Sequence, residues 1–600
     1  MQKTTVTERK DIADSDKWDL TKLYKTDDDW EKALASIVPQ AEHIALMKGT
    51  FASSSDTLLK ALKMTKELYK TVELTGNYAG LHLAEDQGNP TAQDRAGRST
   101  MAAAKAESIL SFMDTEILSI PNEKIQKWLT QPEFKEYCIY IEKMLHMKPY
   151  KLSEKEERIM ALQEESAQTS YNTFSVLNDV DLNFGTIPVQ GQDMPLTQTT
   201  WGLFMENPDR NTREKAYKRF YGTFEQYQHT IASLYAGSVN QDIFEMRARG
   251  YKSSLQKALY RDKVPESVYR NLIDTVHKNL PALHRFYTLR RKVLGLNELR
   301  HWDVYVPLVK KAETKISYDE SVEICRQALL PLGKEYTDIL CSGLKNGWAD
   351  RYENKGKRSG AFSSGAYSGY PYILMNYKDT AIRDVFTMAH EGGHSMHTWY
   401  SSHNNPFMQY NYTIFEAEVA STFNEELVFE YLLKNASSQE MRSYLLAMRA
   451  NDIQATLYRQ TMFAEYELKA HESVEQGTPL SAEVLRNIYR KLLEQYFGPE
   501  MHFESNSDME GMRIPHFYGA YYVYKYATGI SAALALSERV LNGGSSERDD
   551  YFKFLKSGGS RYPIESLKVA GVDMEKPAPV QAALDKFSQL ITELENTLKI

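Results

Sequence analysis

The sequence predicts a large, mainly α-helical protein carrying one or two small β elements. Three observations predict it. Apolar residues recur at spacings of three and four along much of the chain, strand signals are scarce, and no internal repeat or low-complexity tract breaks the pattern. Hydrophobic residues make up 42% and charged residues 25%, an ordinary globular balance, so a chain of 600 residues is expected to fold rather than stay disordered.

The elements follow in order. A helix opens at Ser153, where Glu156 stands three residues after a hydroxyl cap, and its amphipathic run continues towards Ser170. Val180, Leu182 and Phe184 then alternate with polar residues before Gly185, and Ile187–Val189 follows, which predicts a small hairpin around 178–197. Gly and Pro collect at 183–195, 354–371 and 543–548, which read as turns or loops. The apolar, partly β-branched stretch Tyr372–Tyr377 reads as a short strand. After it, Asp379 or Thr380 can cap a helix that places Ile382, Val385, Phe386, Ala389 and Met396 on one face. The next helical segment covers Phe415–Glu425. At the end of the chain, Val580, Leu584, Phe587, Ile591, Leu594 and Leu598 form one buried face of a helix.

Composition excludes several functions. Lys+Arg 72 against Asp+Glu 80 leaves a net charge of −8, and without a long basic run the chain is not expected to bind nucleic acid. No apolar stretch reaches the ~18–20 residues of a membrane span, and the first twenty residues lack the apolar core of a signal peptide. Three cysteines, Cys138, Cys325 and Cys341, are odd in number and show no C-x-x-C spacing. A disulfide framework and a thiolate zinc site are both disfavoured, and a reducing, cytoplasmic home is expected.

The informative stretch is His390-Glu-Gly-Gly-His394. On a helix, residues four apart lie one turn apart, so His390 and His394 can reach a single zinc ion. Glu391 lies round the helix, where it can take the proton of the water such an ion polarises. The two glycines cost about 1 kcal/mol each relative to alanine inside a helix, a loss that makes sense where a backbone or ligand must come close. His397 lies on the same face, but seven residues of helix rise about 10.5 Å, too far for His390 and His397 to share an ion. The third ligand is therefore expected on another helix. Glu418, Ser421 and Glu425 stand at i, i+3 and i+7, and Ala417, Ala420 and Ser421 are small enough to admit a second helix closely. Glu418 is read as the third ligand and Glu425 as the acceptor that holds a ligand imidazole in one tautomer. Glu416 and Glu426 read as a solvated face.

These motifs, with Glu418-Val-Ala-Ser-Thr-Phe-Asn-Glu425 and the Tyr-rich His516-Phe-Tyr-Gly-Ala-Tyr-Tyr-Val-Tyr524, resemble the M3 metallopeptidases, in particular the oligoendopeptidase F branch. Trp18-Asp-Leu, Ala248-Arg-Gly-Tyr251 and Ser359-Gly-Ala-Phe-Ser363 extend the resemblance over almost the whole chain. It implies a two-lobed helical metallopeptidase with a deep substrate channel. The activity it implies is a zinc-dependent endopeptidase, with one Zn2+, acting on short unstructured oligopeptides in the cytoplasm. Residues 1–112 would form an N-terminal helical region, 113–200 an oligoendopeptidase-F-type domain with the hairpin, and 201–600 the catalytic domain. Relatives often carry a bulky apolar residue at Gly392, so a looser helix is expected there.

In the wider family a Tyr-Tyr-x-Tyr run ends in a catalytic tyrosine, which maps onto Tyr524. His516 or Tyr518 would assist it by donating to the oxyanion that forms on the former carbonyl. The 372–377 strand, with Met375 and Asn376, is expected to pair with peptide main chain, and Tyr518 is a further candidate substrate contact. Two rival readings compete. An exopeptidase would need a cationic clamp such as Arg513 for a terminal carboxylate. A non-catalytic peptide-binding or metal-buffering protein would have no need of Glu391.

Overall fold

A computed structural model describes residues 6–310 and 314–600. Helices take 70% of the residues, about twice the usual share, and the strands are few and short. The chain divides into two compact units, each assembled from three stretches.

The first unit comprises the described residues of Met1–Pro149, Glu313–Leu432 and Leu536–Val572. Three long helices, Asp27–Ala45, Ser55–Glu85 and Pro90–Leu110, pack on one another, each opened by a side chain that accepts from first-turn N–H groups: Thr26, Ser54 and Asn89. Their apolar faces build a core through Trp30, Ile37, Leu58 and Leu62, and that core also takes in Tyr372 and Leu374 of a small sheet. The sheet runs in the order Ala349–Asp350, Tyr372–Leu374, Phe362–Ser364, the first pair parallel and the second antiparallel. The strand expected over 372–377 is thus shorter, and it is the middle strand. Beyond it, the Met375 and Tyr377 N–H groups still donate to the Asp350 and Arg351 carbonyls. The expectation that this strand pairs with a peptide therefore fails. Of the two edge strands, Ala349–Asp350 is flanked by bonds from the Asp19 N–H to the Gly347 carbonyl and from the Arg351 N–H to the Asp16 carbonyl, so among the described residues the more open edge is that of Phe362–Ser364.

The second unit comprises the described residues of Tyr150–Ala312, Leu433–Ala535 and Asp573–Ile600. The Ser153–Glu156 capping box forms, but its helix stops at Ala167 and buries no side chain. The hairpin exists with a later first strand: Thr186–Val189 pairs antiparallel with Gln192–Pro195. Gln190 and Gly191, at φ 49° and 80°, form the two-residue turn whose twist suits a hairpin. Upstream, Leu177–Asp181 winds into a wide helical turn that leaves Val180 exposed. Leu182 and Phe184 then point inward without a strand partner, and Phe184 stacks on Phe220 at 4.5 Å. The apolar alternation there records burial against helices, not sheet pairing. The last helix, Ala578–Leu598, buries the predicted face from Val580 to Leu594 and leaves Leu598 half-buried. No helix among the described residues is long and apolar enough to cross a membrane.

Candidate active site

His390, Glu391 and His394 all lie on the helix Ile382–Asn404 of the first unit, whose predicted apolar face is buried. Its start differs from expectation. Ala381 is the capping position and makes no side-chain cap, so neither Asp379 nor Thr380 serves; Asp384 instead reaches back to accept the Lys378 N–H. The helix runs unbroken through Gly392 and Gly393 rather than loosening there. A methyl group at Gly393 would lie 2.5 Å from the Ala420 carbonyl oxygen and 2.6 Å from Ser421 Cα, so this glycine is where the helix Ile414–Lys434 crosses at backbone contact. Gly392 instead faces the side chain of Leu340, 3.1 Å from where a methyl would sit.

That crossing delivers Glu418 to the histidines. His390 Nε2 and His394 Nε2 stand 3.2 Å apart, and Glu418 Oε2 lies 3.4 Å from the first and 3.6 Å from the second. Bonds of ~2.0–2.1 Å in a tetrahedral site set donor atoms ~3.3–3.4 Å apart, so the three separations fit one small cation. The protonation pattern fits as well. Glu425 Oε1 accepts from His390 Nδ1 at 2.9 Å and His394 bonds the Ala417 backbone, so in each ring it is Nε2 that faces the other imidazole and the Glu418 carboxylate. A metal ion would take these atoms as ligands in place of protons, and the three residues form the metal-competent group found among the described residues. His397 is not part of it. It is buried 3.7 Å from the Tyr412 ring in a parallel stack.

The electrostatics sort the roles. Burial opposes a charge on His390, but Glu425, with Glu391 and Glu418 nearby, outweighs it and lifts the imidazole to about 9. Burial, then the His390 charge, push His394 down to about 4. Burial raises Glu391 to about 7 against the pull of His390. Glu391 is also hydrogen-bonded by the Ser363 backbone, on the strand with the open edge.

Sequence reasoning missed two residues here. Asn424, fully buried, donates to the Ala389 carbonyl and accepts from Tyr336, tying the two helices beside His390. Ser363 places its strand by bonding Ser395 of the His390 helix at 2.8 Å. Two acids were misread: Glu416 and Glu426 are buried, not solvated. Glu416 accepts from the Thr413 N–H and hydroxyl, and burial holds it up at about 7.

Comparison with known proteins bears on this geometry. Residues 203–586 match the profile described as peptidase family M3, and residues 116–184 match that described as oligopeptidase F. The chain belongs to peptidase family M3. It is 41% identical to Oligopeptidase PepF of Bacillus subtilis (strain 168), over 98% of this chain and 88% of that one. Identity to an oligoendopeptidase F homolog of Borreliella burgdorferi is 40%, over 98% and 99%. Among solved structures, oligoendopeptidase-F from Enterococcus faecium matches with a TM-score of 0.75 at 31% identity, covering 96% of this chain and 99% of that one. A crystal structure from Chlamydophila abortus reaches 0.93 at 35%, covering 99% and 100%. The protein has the helical fold of this family and is a metalloendopeptidase.

The remaining predicted residues are placed as follows. Met375 is buried, and the Asn376 side-chain amide is occupied by the Arg358 and Gly360 carbonyls. In the second unit of this M3 peptidase, His516 is exposed on the short turn Pro515–Tyr518, and its ring lies 6.4 Å from that of Tyr522. Tyr518 stacks on Phe174 at 4.6 Å. Tyr524 is buried at the start of the helix Tyr524–Asn542, its ring 5.1 Å from that of Tyr269. Arg513 is not the free cation that an exopeptidase clamp needs: it is held by the Tyr221 hydroxyl and the buried Glu510 carboxylate.

Proposed function

We propose that this peptidase is a zinc endopeptidase that hydrolyses internal bonds of short, unstructured oligopeptides. The observation that carries the reading is the convergence of His390, His394 and Glu418 on one point, with Glu391 next in sequence to the first of them. Two imidazoles and one carboxylate are a donor set suited to zinc. Bound there, the ion supplies a Lewis acid that polarises the scissile carbonyl and acidifies water. The rest is done by the chain. Glu425 holds the Nδ1 proton of His390 and leaves Nε2 free as a ligand atom. Glu391 takes a proton from the attacking water on its carboxylate and returns it to the departing amine nitrogen. A group lifted towards neutrality by burial is suited to both transfers. The open edge of Phe362–Ser364 offers main-chain groups to an extended peptide beside Glu391, and such contacts are largely indifferent to side-chain identity. Following the family resemblance, Tyr524, assisted by His516 or Tyr518, is assigned to donate to the developing oxyanion. Three free thiols are consistent with a cytoplasmic enzyme.

The test is Glu391→Gln. The variant should retain zinc and lose hydrolysis of an internally quenched peptide by about 10²- to 10⁴-fold, the usual weight of a general base. A variant that keeps its rate refutes the assignment. Peptides with free and amidated C-termini should be cut alike; dependence on a free carboxylate would favour the exopeptidase reading.

A further inference from the structure

Four described non-glycine residues adopt left-handed backbone: Gln190, Lys263, Tyr521 and Lys599. Three of them are exposed and ordinary in kind, since Gln190 lies in a hairpin turn and Lys263 and Lys599 follow helices. Tyr521, at φ 56°, is different because it is buried. Glycine would adopt this conformation without strain, and a large aromatic residue persists there only if its contacts over-determine the geometry.

The contacts do so at three points, all within the second unit. The Tyr521 N–H donates to Glu467 Oε1 at 3.0 Å. Its hydroxyl meets Ser254 Oγ at 2.8 Å, and that serine is fixed by Glu475 through both its N–H and its hydroxyl. Its ring lies 4.8 Å from His471 and 5.7 Å from Tyr269. Glu467 is itself unusual. It is fully buried, its other oxygen has no hydrogen-bond partner among the described residues, and burial pushes its pKa far up. Glu467, His471 and Glu475 share the helix Arg459–Glu475, which makes one rigid wall of the clamp. On either side of Tyr521 stand the exposed His516 turn and, three residues on, the first residue of the Tyr524 helix.

We infer that Tyr521 is a positioning residue: its clamped, left-handed backbone sets where the flanking segment presents His516 and Tyr524 for the reaction. The inference rests on the reading that those two residues serve as donors. Tyr521 touches no reacting atom. It fixes the turn that joins the His516 segment to the tyrosine helix, and Glu467 and Ser254 keep that turn from relaxing.

The experiment is a double-mutant cycle on the zinc-loaded full-length enzyme, following kcat and KM with a quenched peptide alongside zinc content and thermal unfolding. Tyr521→Gly tolerates the backbone angle but releases the ring and hydroxyl. It should lower kcat about 10- to 100-fold, as misplacement of a reacting group does, with KM and zinc content little changed. In a Tyr524→Phe background the same change should cost far less, because both act through one hydroxyl. Glu467→Gln, which keeps an acceptor oxygen for the Tyr521 N–H, should retain kcat, whereas Glu467→Leu should lose it. If Tyr521→Gly does not fold, Tyr521→Phe and Ser254→Ala carry the same cycle. Independent, multiplying effects of Tyr521 and Tyr524 would overturn the inference, as would an unchanged kcat in Tyr521→Gly when Tyr524→Phe is impaired. An unimpaired Tyr524→Phe and His516→Ala would overturn the donor assignment instead.

Discussion

Gly393→Ala isolates the contact on which the metal site depends. The added methyl would meet the Ala420 carbonyl oxygen at 2.5 Å and Ser421 Cα at 2.6 Å, where ordinary contact begins near 3.4 Å, so the two helices must part by about 0.9 Å. Backbone atoms cannot rotate out of the way as a side-chain end can. Glu418 rides on the displaced helix, two residues before Ala420, while zinc–ligand distances tolerate only about ±0.2 Å. Alanine gains about 1 kcal/mol of helix propensity over glycine, against an overpacking cost of about 1–3 kcal/mol. The clash therefore wins modestly in stability and heavily in metal binding. Zinc affinity, read by competition with a chromophoric chelator, should fall about 10- to 100-fold, the scale seen when a supporting group is misplaced. Gly392→Ala is the control: its methyl would meet the ends of the Leu340 side chain at 3.1 and 3.3 Å, which can yield, so zinc affinity should hold and stability rise by at most about 1 kcal/mol. If Gly393→Ala binds zinc as wild type does, the close crossing does not set the ligand geometry.

Other perturbations separate the neighbouring groups. Glu418→Ala should lose zinc on dialysis, whereas His397→Ala should retain it and melt earlier, because His397 is a buried ring stacked on Tyr412; the reverse ranking would refute the ligand assignment. Glu425→Gln, which replaces the carboxylate accepting from His390 Nδ1, should weaken zinc about 10- to 100-fold while leaving the fold intact by circular dichroism. Metal must displace the proton that His390 holds up to about 9, so zinc affinity should fall roughly tenfold per unit as pH drops from 9 towards 7 in the same chelator competition. In the metal-free protein the sign is opposite. A histidine raised from 6.5 to about 9 stabilises the fold fully below 6.5 and loses that contribution, at most about 3 kcal/mol, as pH rises through 9. Thermal melts of the metal-free enzyme that rise over this range would contradict the Glu425–His390 pairing.

What the sequence made legible is what helical spacing encodes. His390 and His394 at one turn, and Glu418 with Glu425 at two turns, are local patterns, and a local pattern survives folding because 3.6 residues per turn fixes it. What it concealed is pairing between distant stretches. The strand at Tyr372–Leu374 looked solitary because its partner Ala349–Asp350 is only two residues long, too short to show any alternation; hence a middle strand was read as a free one. Glu416 looked like a solvated acid because the packing that buries it comes from outside its own helix turn and leaves no mark in the local spacing. The glycine pair falls between these cases. Its presence announced a close approach, yet the two members have different jobs, one against backbone and one against a leucine side chain, and only the packing tells them apart. Tyr521 goes further. Nothing in a tyrosine-rich run marks the one member whose backbone is turned over, since an aromatic residue in that conformation contradicts its own local preference and is paid for by Glu467 and Ser254, 54 and 267 residues away. Sites where local preference is overruled in this way are where a chain's chemistry is expected to sit, because glycine adopts that backbone without strain and only a further demand on the position favours an aromatic residue over it.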